Sequence, residues 1–461
     1  MKASRTPAQI ASINDLQQFL IGKELLKTEI PNEWHPFLDE NDCIYRVPGI
    51  ENGRCARCGN SDPDLFATFP HSVCGKDCLY CRKCMMMGRI SACTDLYGWS
   101  GPPVQWDSGH AILQWKGELS PSQEKAAEAI IQTVREPGEI LIWAVCGAGK
   151  TEMIFRGIEE ALQSQKRVCI ASPRTDVILE LTPRLKSVFP QITIASLYGD
   201  SEDKAIFAPL VLSTTHQLMR YTNAFDVIII DEVDAFPFSY EESLQFAAQK
   251  ACTQNASIIY LTATPSKDWQ HQFISGQRKG VLLPARFHGY SIPEPRLKWI
   301  GNWRKAIHKG KLSPPLHDWL QKAIQSGRPY LLFFPTIDLM EKSLPIFQTY
   351  TDKIKSVHAE DPQRKQKIIE LRNGEIQGLL TTTILERGVT IPKLNAAVIG
   401  AEERIFSESA LVQIAGRVGR HKDFPTGDIV FFHYGRTDAM LDAIHQIRQM
   451  NQEAAKRGLL K

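Results

Sequence analysis

Lys150 and Thr151 close a short run, Cys146-Gly147-Ala148-Gly149-Lys150-Thr151, which follows the apolar segment Ile140–Val145 and leads into a helix-like stretch, Glu152–Leu162. Glycines let a backbone curl until its N–H groups face a phosphate at a helix N-terminus, where the helix dipole favours negative charge. In that arrangement Gly147, Ala148 and Gly149 form a cradle, Lys150 reaches the β- and γ-phosphates of a nucleotide, and the Thr151 hydroxyl ligates Mg2+. The strict phosphate-loop pattern opens on Gly, where this chain has Ala144. A second apolar run, Val227–Ile230, ends in Asp231-Glu232-Val233-Asp234. Carboxylates at the C-terminal edge of such a strand lie where open α/β sheets bind their ligands. Asp231 would hold Mg2+ through its water shell, and Glu232 would orient or deprotonate an attacking water.

The cysteines suggest different chemistry. Eight of the eleven fall between Cys43 and Cys93. The first residues carry a Lys and an Arg but no apolar stretch of the secretory kind, so the expectation is a cytoplasmic protein whose thiols bind metal instead of pairing as disulfides. Cys55-Ala56-Arg57-Cys58 and Cys81-Arg82-Lys83-Cys84 are two knuckles, with 22 residues between Cys58 and Cys81. That pattern suits a closed tetrahedral zinc site built from Cys55, Cys58, Cys81 and Cys84. Cys74 and Cys78 offer a competing pair. The four-cysteine assignment leaves Cys43, Cys74, Cys78 and Cys93 without a role, and a second site drawing on some of them stays open.

These groups need elements to hold them. A chain of 461 residues is long enough for about three domains. With 43% apolar and 23% charged residues it is of ordinary globular composition, which argues against disorder or a fibre. The net charge of +3 is too small to attract nucleic acid globally, so a polyanion surface must come from local clustering. No apolar run approaches the roughly 18 residues of a membrane span. Residues 1–40 form a mixed lead-in with a helix around Ile13–Leu26. Residues 41–100 hold the cysteines, and zinc would supply the folding free energy that so small a segment lacks. From 101 to 285, strands at Ile140–Val145, Val168–Ala171, Leu210–Ser213, Val227–Ile230 and Ile258–Leu261 alternate with helical stretches. A Pro-rich crossing follows, and from 286 to 461 a second series runs through Tyr330–Phe334, Gly378–Thr382, Ala396–Ile399 and Asp428–Phe432. The expected fold is α/β: two parallel-sheet lobes behind a small zinc-binding domain. Arg296–Lys311 is basic and carries Trp299 and Trp303, which fits either single-strand binding or a solvated face anchored by its tryptophans. Ala439–Met450 has the apolar spacing of a helix packed on the second lobe.

Further short strings follow the same order along the chain. Leu119-Ser120-Pro121-Ser122-Gln123 precedes the phosphate loop, and Ser172-Pro173-Arg174, Thr214-Thr215-His216 and Thr262-Ala263-Thr264-Pro265 follow it. Thr381-Thr382-Thr383 through Glu386-Arg387-Gly388-Val389, and Gln413 through Arg420, belong to the second lobe. Each string is weak evidence alone; these six, in order with the phosphate loop and the acidic quartet, resemble the DEAD/DEAH-box-like helicases and translocases, with their two RecA-like lobes. The resemblance implies ATP as substrate and Gln123 as its adenine reader. Pro173, Arg174, Thr214, Thr215 and Thr383 would contact the nucleic-acid backbone, and Gly388 would sense ATP. Arg417 and Arg420 would act as arginine fingers; supplied by the second lobe, they would tie hydrolysis to lobe closure.

The cysteine-rich segment ahead of this core, with Tyr80-Cys81-Arg82-Lys83-Cys84 leading to Met87-Gly88-Arg89, resembles the ComFA family of late-competence ATPases over essentially the whole chain. That resemblance implies a motor that draws single-stranded DNA into the cytoplasm during transformation. It further implies work beside the DNA-uptake channel at the inner face of the membrane, held there peripherally through partners, with a ComFC-like partner. A replication-restart or repair helicase of the same superfamily is the alternative, as is a non-hydrolysing scaffold switched by ATP. In the restart helicase the cysteines interrupt the second lobe, whereas this chain has none after residue 285. Polarity, unwinding and oligomeric state are not written in these motifs.

Overall fold

Val168–Ser172 and Leu210–Thr214 are buried at every consecutive position, a pattern that only a sheet covered on both faces can satisfy. The computed structural model describes residues 7–72, 74–107, 113–386 and 390–461. Its two compact units are Met1–Ile142 with Thr151–Val281, and Trp143–Lys150 with Leu282–Lys461. The first large sheet has seven strands, in the order Ile194–Leu197, Leu210–Thr214, Val168–Ser172, Phe225–Asp231, Cys252–Thr262, Glu139–Ala144, Gly280–Leu283. The pairings from Ile194–Leu197 through Cys252–Thr262 are all parallel. The second sheet has six parallel strands, in the order Arg296–Trp299, Ile429–His433, Asn395–Ile399, Tyr330–Phe333, Gly378–Thr381, Ile354–Val357. Two parallel α/β lobes are therefore present, as expected from the alternating pattern.

The edge strand Arg296–Trp299 changes how the basic stretch is read. Trp303 is only 2% exposed, lies in the core of the second lobe and donates from Nε1 to Glu402 Oε1 at 2.8 Å, so it anchors the lobe and is not free to stack on a base. Trp299 is 64% exposed. The terminal helix, Asp438–Lys456, forms where the apolar spacing of Met440, Leu441, Ile444 and Ile447 placed one, but its buried face is Met440, Ala443, Ile447 and Met450, with Ile444 half-buried and Leu441 exposed.

Ahead of the first lobe, Leu25–Leu26, Asp95–Trp99 and Ile44–Pro48 form a small antiparallel sheet over a cluster that includes Leu16, Phe19, Leu20, Leu38 and Tyr97. The helix expected around Ile13–Leu26 instead spans Pro7–Leu20. Gly22, at φ 70°, ends it, and a Cβ there would stand 2.7 Å from the Ala224 Cβ, so a side chain is excluded as well as unneeded. Two short hairpins follow, Ile50–Glu51 with Arg54–Cys55 and Phe66–His71 with Lys76–Cys81.

Charged side chains dock this region on the first lobe within one unit. Arg57, from inside the first cysteine knuckle, is 0% exposed; it donates to the Met87 carbonyl and pairs with Glu29. The other Glu29 oxygen accepts from Arg220 Nε at 2.7 Å. Lys250 Nζ reaches Glu24 at 2.9 Å and the Ala56 carbonyl at 3.1 Å, and Lys83 pairs with Glu241 at 2.7 Å. Removing one partner of a buried pair leaves an uncompensated charge, which costs about 3–5 kcal/mol. Glu29→Gln is therefore expected to lower the thermal midpoint clearly, and Arg57→Met in the same chain to recover part of the loss. Scanning calorimetry of both variants checks this; additive losses would mean that the pair is not coupled.

Candidate functional site

The strand Glu139–Ala144 runs through the phosphate loop into the helix Lys150–Gln163. Gly147 and Gly149 take φ of 84° and 76°, left-handed values that a residue with a Cβ adopts only under strain, and the Ala148 N–H closes a turn on the Val145 carbonyl at 3.1 Å. This is the curled backbone a phosphate cradle needs. At the start of the helix, the Thr151 hydroxyl accepts a long bond of 3.4 Å from Arg184, which also pairs with Glu152. Within the second unit, the Phe287 N–H donates to the Gly147 carbonyl at 3.0 Å and the Cys146 thiol to Gln413 Oε1 at 3.0 Å. The Arg420 stem runs beside the loop, its Cγ 3.7 Å from where a Gly147 Cβ would stand.

Asp231 ends the strand Phe225–Asp231, and its Oδ1 accepts from the Glu232 N–H at 2.9 Å. Glu232 has φ 58°, a left-handed backbone that turns the chain sharply at the strand end. Asp234 then joins two motifs: its Oδ1 accepts from the Thr262 hydroxyl and its Oδ2 from the Thr264 hydroxyl, each at 2.6 Å. A carboxylate receiving two short charge-assisted bonds fixes the Thr262–Thr264 segment to the acidic turn. Spacing alone named both segments without revealing this link.

The remaining sequence candidates are distributed as follows. Gln123 is buried, and its Oε1 accepts from the Ser120 N–H at 2.9 Å, completing a capping box on the helix Pro121–Arg135. Ser172 and Thr214 end neighbouring parallel strands, and the Thr215 N–H donates to the Ser172 carbonyl at 3.0 Å. Thr214 and Thr215 are buried, while Pro173 and Arg174 are half-buried and Arg174 is paired with Asp176. In the second lobe Thr383 opens a single turn, Thr383–Leu385, and Arg417 is buried with its Nε donating to the Glu386 carbonyl at 2.6 Å. Gly388 lies outside the described residues.

Arg286 was not singled out by its sequence context. It is buried and donates to the carbonyls of Gly419 at 2.7 Å and Gly416 at 3.2 Å, bracing the glycines on either side of Arg417. Burial pushes its pKa down to about 10, leaving it charged at neutral pH. The only sequence signal was an arginine placed just after the Pro284 crossing.

The Sγ atoms of Cys55, Cys58, Cys81 and Cys84 are buried and all lie within 4.8 Å of one another, with Cys55–Cys84 and Cys58–Cys81 both at 3.7 Å. Four sulfurs about 2.3 Å from one tetrahedral ion would be roughly 3.8 Å apart, so the donor set fits zinc. Bonding among the thiols pulls Cys55 and Cys81 below the ordinary thiol value and raises Cys58 and Cys84.

Known proteins place this geometry in context. The model of the competence protein ComFA N-terminal domain matches residues 9–98. That of the type III restriction enzyme res subunit matches 116–267, and the helicase conserved C-terminal domain matches 316–422. The competence protein ComFA of Bacillus subtilis is 49% identical over 452 residues, covering 96% of this chain and 96% of its own length. The ComFA of Streptococcus pneumoniae is 39% identical over 377 residues, 81% of this chain and 86% of its own. Among solved structures, S. cerevisiae Dbp5 bound to RNA and ADP BeF3 has a TM-score of 0.54 at 15% identity, covering 75% of this chain and 94% of that one. That likeness establishes the two-lobe helicase fold. With its helicase domains the protein is a nucleic-acid-dependent ATPase of helicase type. The chain belongs to the ComFA family of competence-related, DEAD-box-like helicases.

Proposed function

We propose that this protein is a single-stranded DNA translocase that hydrolyses ATP to draw transforming DNA into the cytoplasm during natural competence. The observation that carries the motor reading is the pair of 2.6 Å bonds from Thr262 and Thr264 to Asp234, three residues beyond Asp231. Through them a change at the nucleotide's acidic turn displaces a neighbouring strand end directly. The direction of transport and its DNA substrate rest on membership of the ComFA family.

In this reading Gly147, Ala148, Gly149 and Lys150 hold the phosphates, and Thr151 and Asp231 hold Mg2+, whose charge offsets that of the β- and γ-phosphates. Glu232 orients the attacking water. Arg417 and Arg420 stabilise the charge on the transferring phosphoryl group, so turnover draws on groups from both lobes. Pro173, Arg174, Thr214, Thr215 and Thr383 line the path of the strand, Gln123 reads adenine, and Cys55, Cys58, Cys81 and Cys84 hold a structural zinc. No described helix is long and apolar enough to cross a membrane. We place the protein in the cytoplasm, peripheral at the inner face of the membrane, beside the uptake channel and a ComFC-like partner.

Steady-state ATP hydrolysis, measured alone and with single-stranded DNA, duplex DNA and single-stranded RNA, tests the reading. Single-stranded DNA is expected to stimulate most; stimulation mainly by RNA would overturn the DNA assignment. Lys150→Ala should reduce hydrolysis to background, and Arg420→Ala should lower it by about 10³-fold or more. A Thr262→Val, Thr264→Val double variant should keep basal hydrolysis and lose most of the DNA stimulation. Equal loss of both would assign the threonines to the chemistry and not to coupling.

A further inference from the structure

We propose that His71, Cys74, Cys78 and Cys93 form a second zinc site, built on the opposite face of the strand that supplies Cys81 to the first. The four candidate donor atoms lie within 4.8 Å of one another. His71 Nδ1 is 3.2 Å from Cys74 Sγ and 3.1 Å from Cys93 Sγ, and Cys78 Sγ is 2.9 Å from Cys93 Sγ. A disulfide would bring those last two sulfurs to about 2.05 Å. A tetrahedral ion would hold them roughly 3.8 Å apart, a movement of less than about 1 Å. Three thiols and one imidazole are a donor set that selects zinc, because thiolate is soft and the d¹⁰ ion accepts a tetrahedral cage without preference. Each thiol gives up its proton as it binds.

The backbone brings these donors together from three places. Cys78 and Cys81 lie on the strand Lys76–Cys81, three residues apart, so their side chains leave by opposite faces, one toward each cluster. His71 ends the partner strand, and Cys74 sits in the turn between the two. Cys93 arrives on a third segment: Tyr80 bridges Ser91 antiparallel, the Ala92 N–H donates to the Leu79 carbonyl at 2.8 Å and the Cys81 N–H donates to the Ile90 carbonyl at 2.9 Å. Continuing that register by two residues sets Cys93 opposite Cys78. The His71 ring is held from behind by Phe69, 5.0 Å between centroids, and Phe69 carries the Arg89 guanidinium at 4.0 Å on its face. This packing aims Nδ1 at the sulfurs. A two-stranded hairpin alone is marginal in water, and a metal at its tip supplies the constraint that a core would otherwise provide.

The two clusters differ in exposure. All four cysteines of the first are buried, whereas in the second only Cys78 is, and Cys93 is exposed. The second ion should therefore leave first. The test is zinc per chain in the full-length protein, purified under reducing conditions and measured by plasma mass spectrometry, with release to a colorimetric chelator followed in time. Two zinc per chain are expected, released in a fast and a slow phase. His71→Ala and Cys93→Ser should each leave one zinc and abolish the fast phase, whereas Cys58→Ser should abolish the slow one, so the two sites fail independently. His71→Cys, which keeps four donors, should retain both ions even if the alanine variant folds poorly. One zinc per chain in the wild type, unchanged in Cys93→Ser, would overturn the proposal. So would a Cys78–Cys93 disulfide found by peptide mass spectrometry in the native protein.

Discussion

Parallel pairing of Leu210–Thr214, Val168–Ser172, Phe225–Asp231 and Cys252–Thr262 makes these strands end on one edge of the sheet, and every functional assignment in the first lobe depends on that. A parallel sheet must return its chain by crossovers, usually helices, so each strand end is followed by a loop at the same edge. Ser172, Thr214, Asp231 and Thr262 thereby become neighbours although sequence separates them by as many as 90 positions. The Asp234 carboxylate can then bond Thr262 and Thr264 across adjoining strand ends with no long side chain involved. Parallel topology plus one aspartate is thus enough to tie the acidic turn to the neighbouring strand end.

The cysteine region obeys different physics. Its strands span two to six residues and cannot bury two faces. A small core of that kind supplies about 3–5 kcal/mol, whereas structural zinc binding releases about 10–16 kcal/mol. Metal binding is the greater of the two, so it would decide which residues must be present, and the side chains clustered here are a set that could hold metal in place of leucines. The strand Lys76–Cys81 serves both clusters, so ions on its two faces would brace each other through one backbone.

This contrast explains what could be read in the sequence. Strands covered on both faces announce themselves as unbroken apolar runs, as at Val168–Ser172 and Asn395–Ile399, and the phosphate loop and the Cys55, Cys58, Cys81 and Cys84 knuckles have fixed local spacing. Ile194–Leu197 and Ile354–Val357 passed unnoticed because four residues with an internal Ser or Lys carry too little signal. Arg296–Trp299 was hidden by its edge position, where charges alternate with apolar residues. His71 and Cys93 could not be joined by spacing, since their meeting depends on the antiparallel register between Tyr80 and Ser91. Arg286 acts through carbonyls more than 100 positions away, and a lone arginine gives no hint of that.

The buried arginine in the first knuckle connects the two kinds of structure. Burying Arg57 with Glu29 is an inefficient way to gain stability, since a well-packed apolar pair often does as well. A charged pair does have a definite geometry. Glu29 can satisfy Arg57 and Arg220 together only when the knuckle and the segment Gln217–Arg220 stand in one relative placement. That segment begins one residue after His216, directly beyond Thr214 and Thr215. A knuckle that lost its ion would no longer hold Arg57 in position, and Glu29 would be left with Arg220 alone. Metal content and the placement of the sheet edge that carries Thr214 and Thr215 would then be linked in free energy. In that case the cysteine-rich region acts as part of the first lobe's frame, a role that requires no contact with DNA.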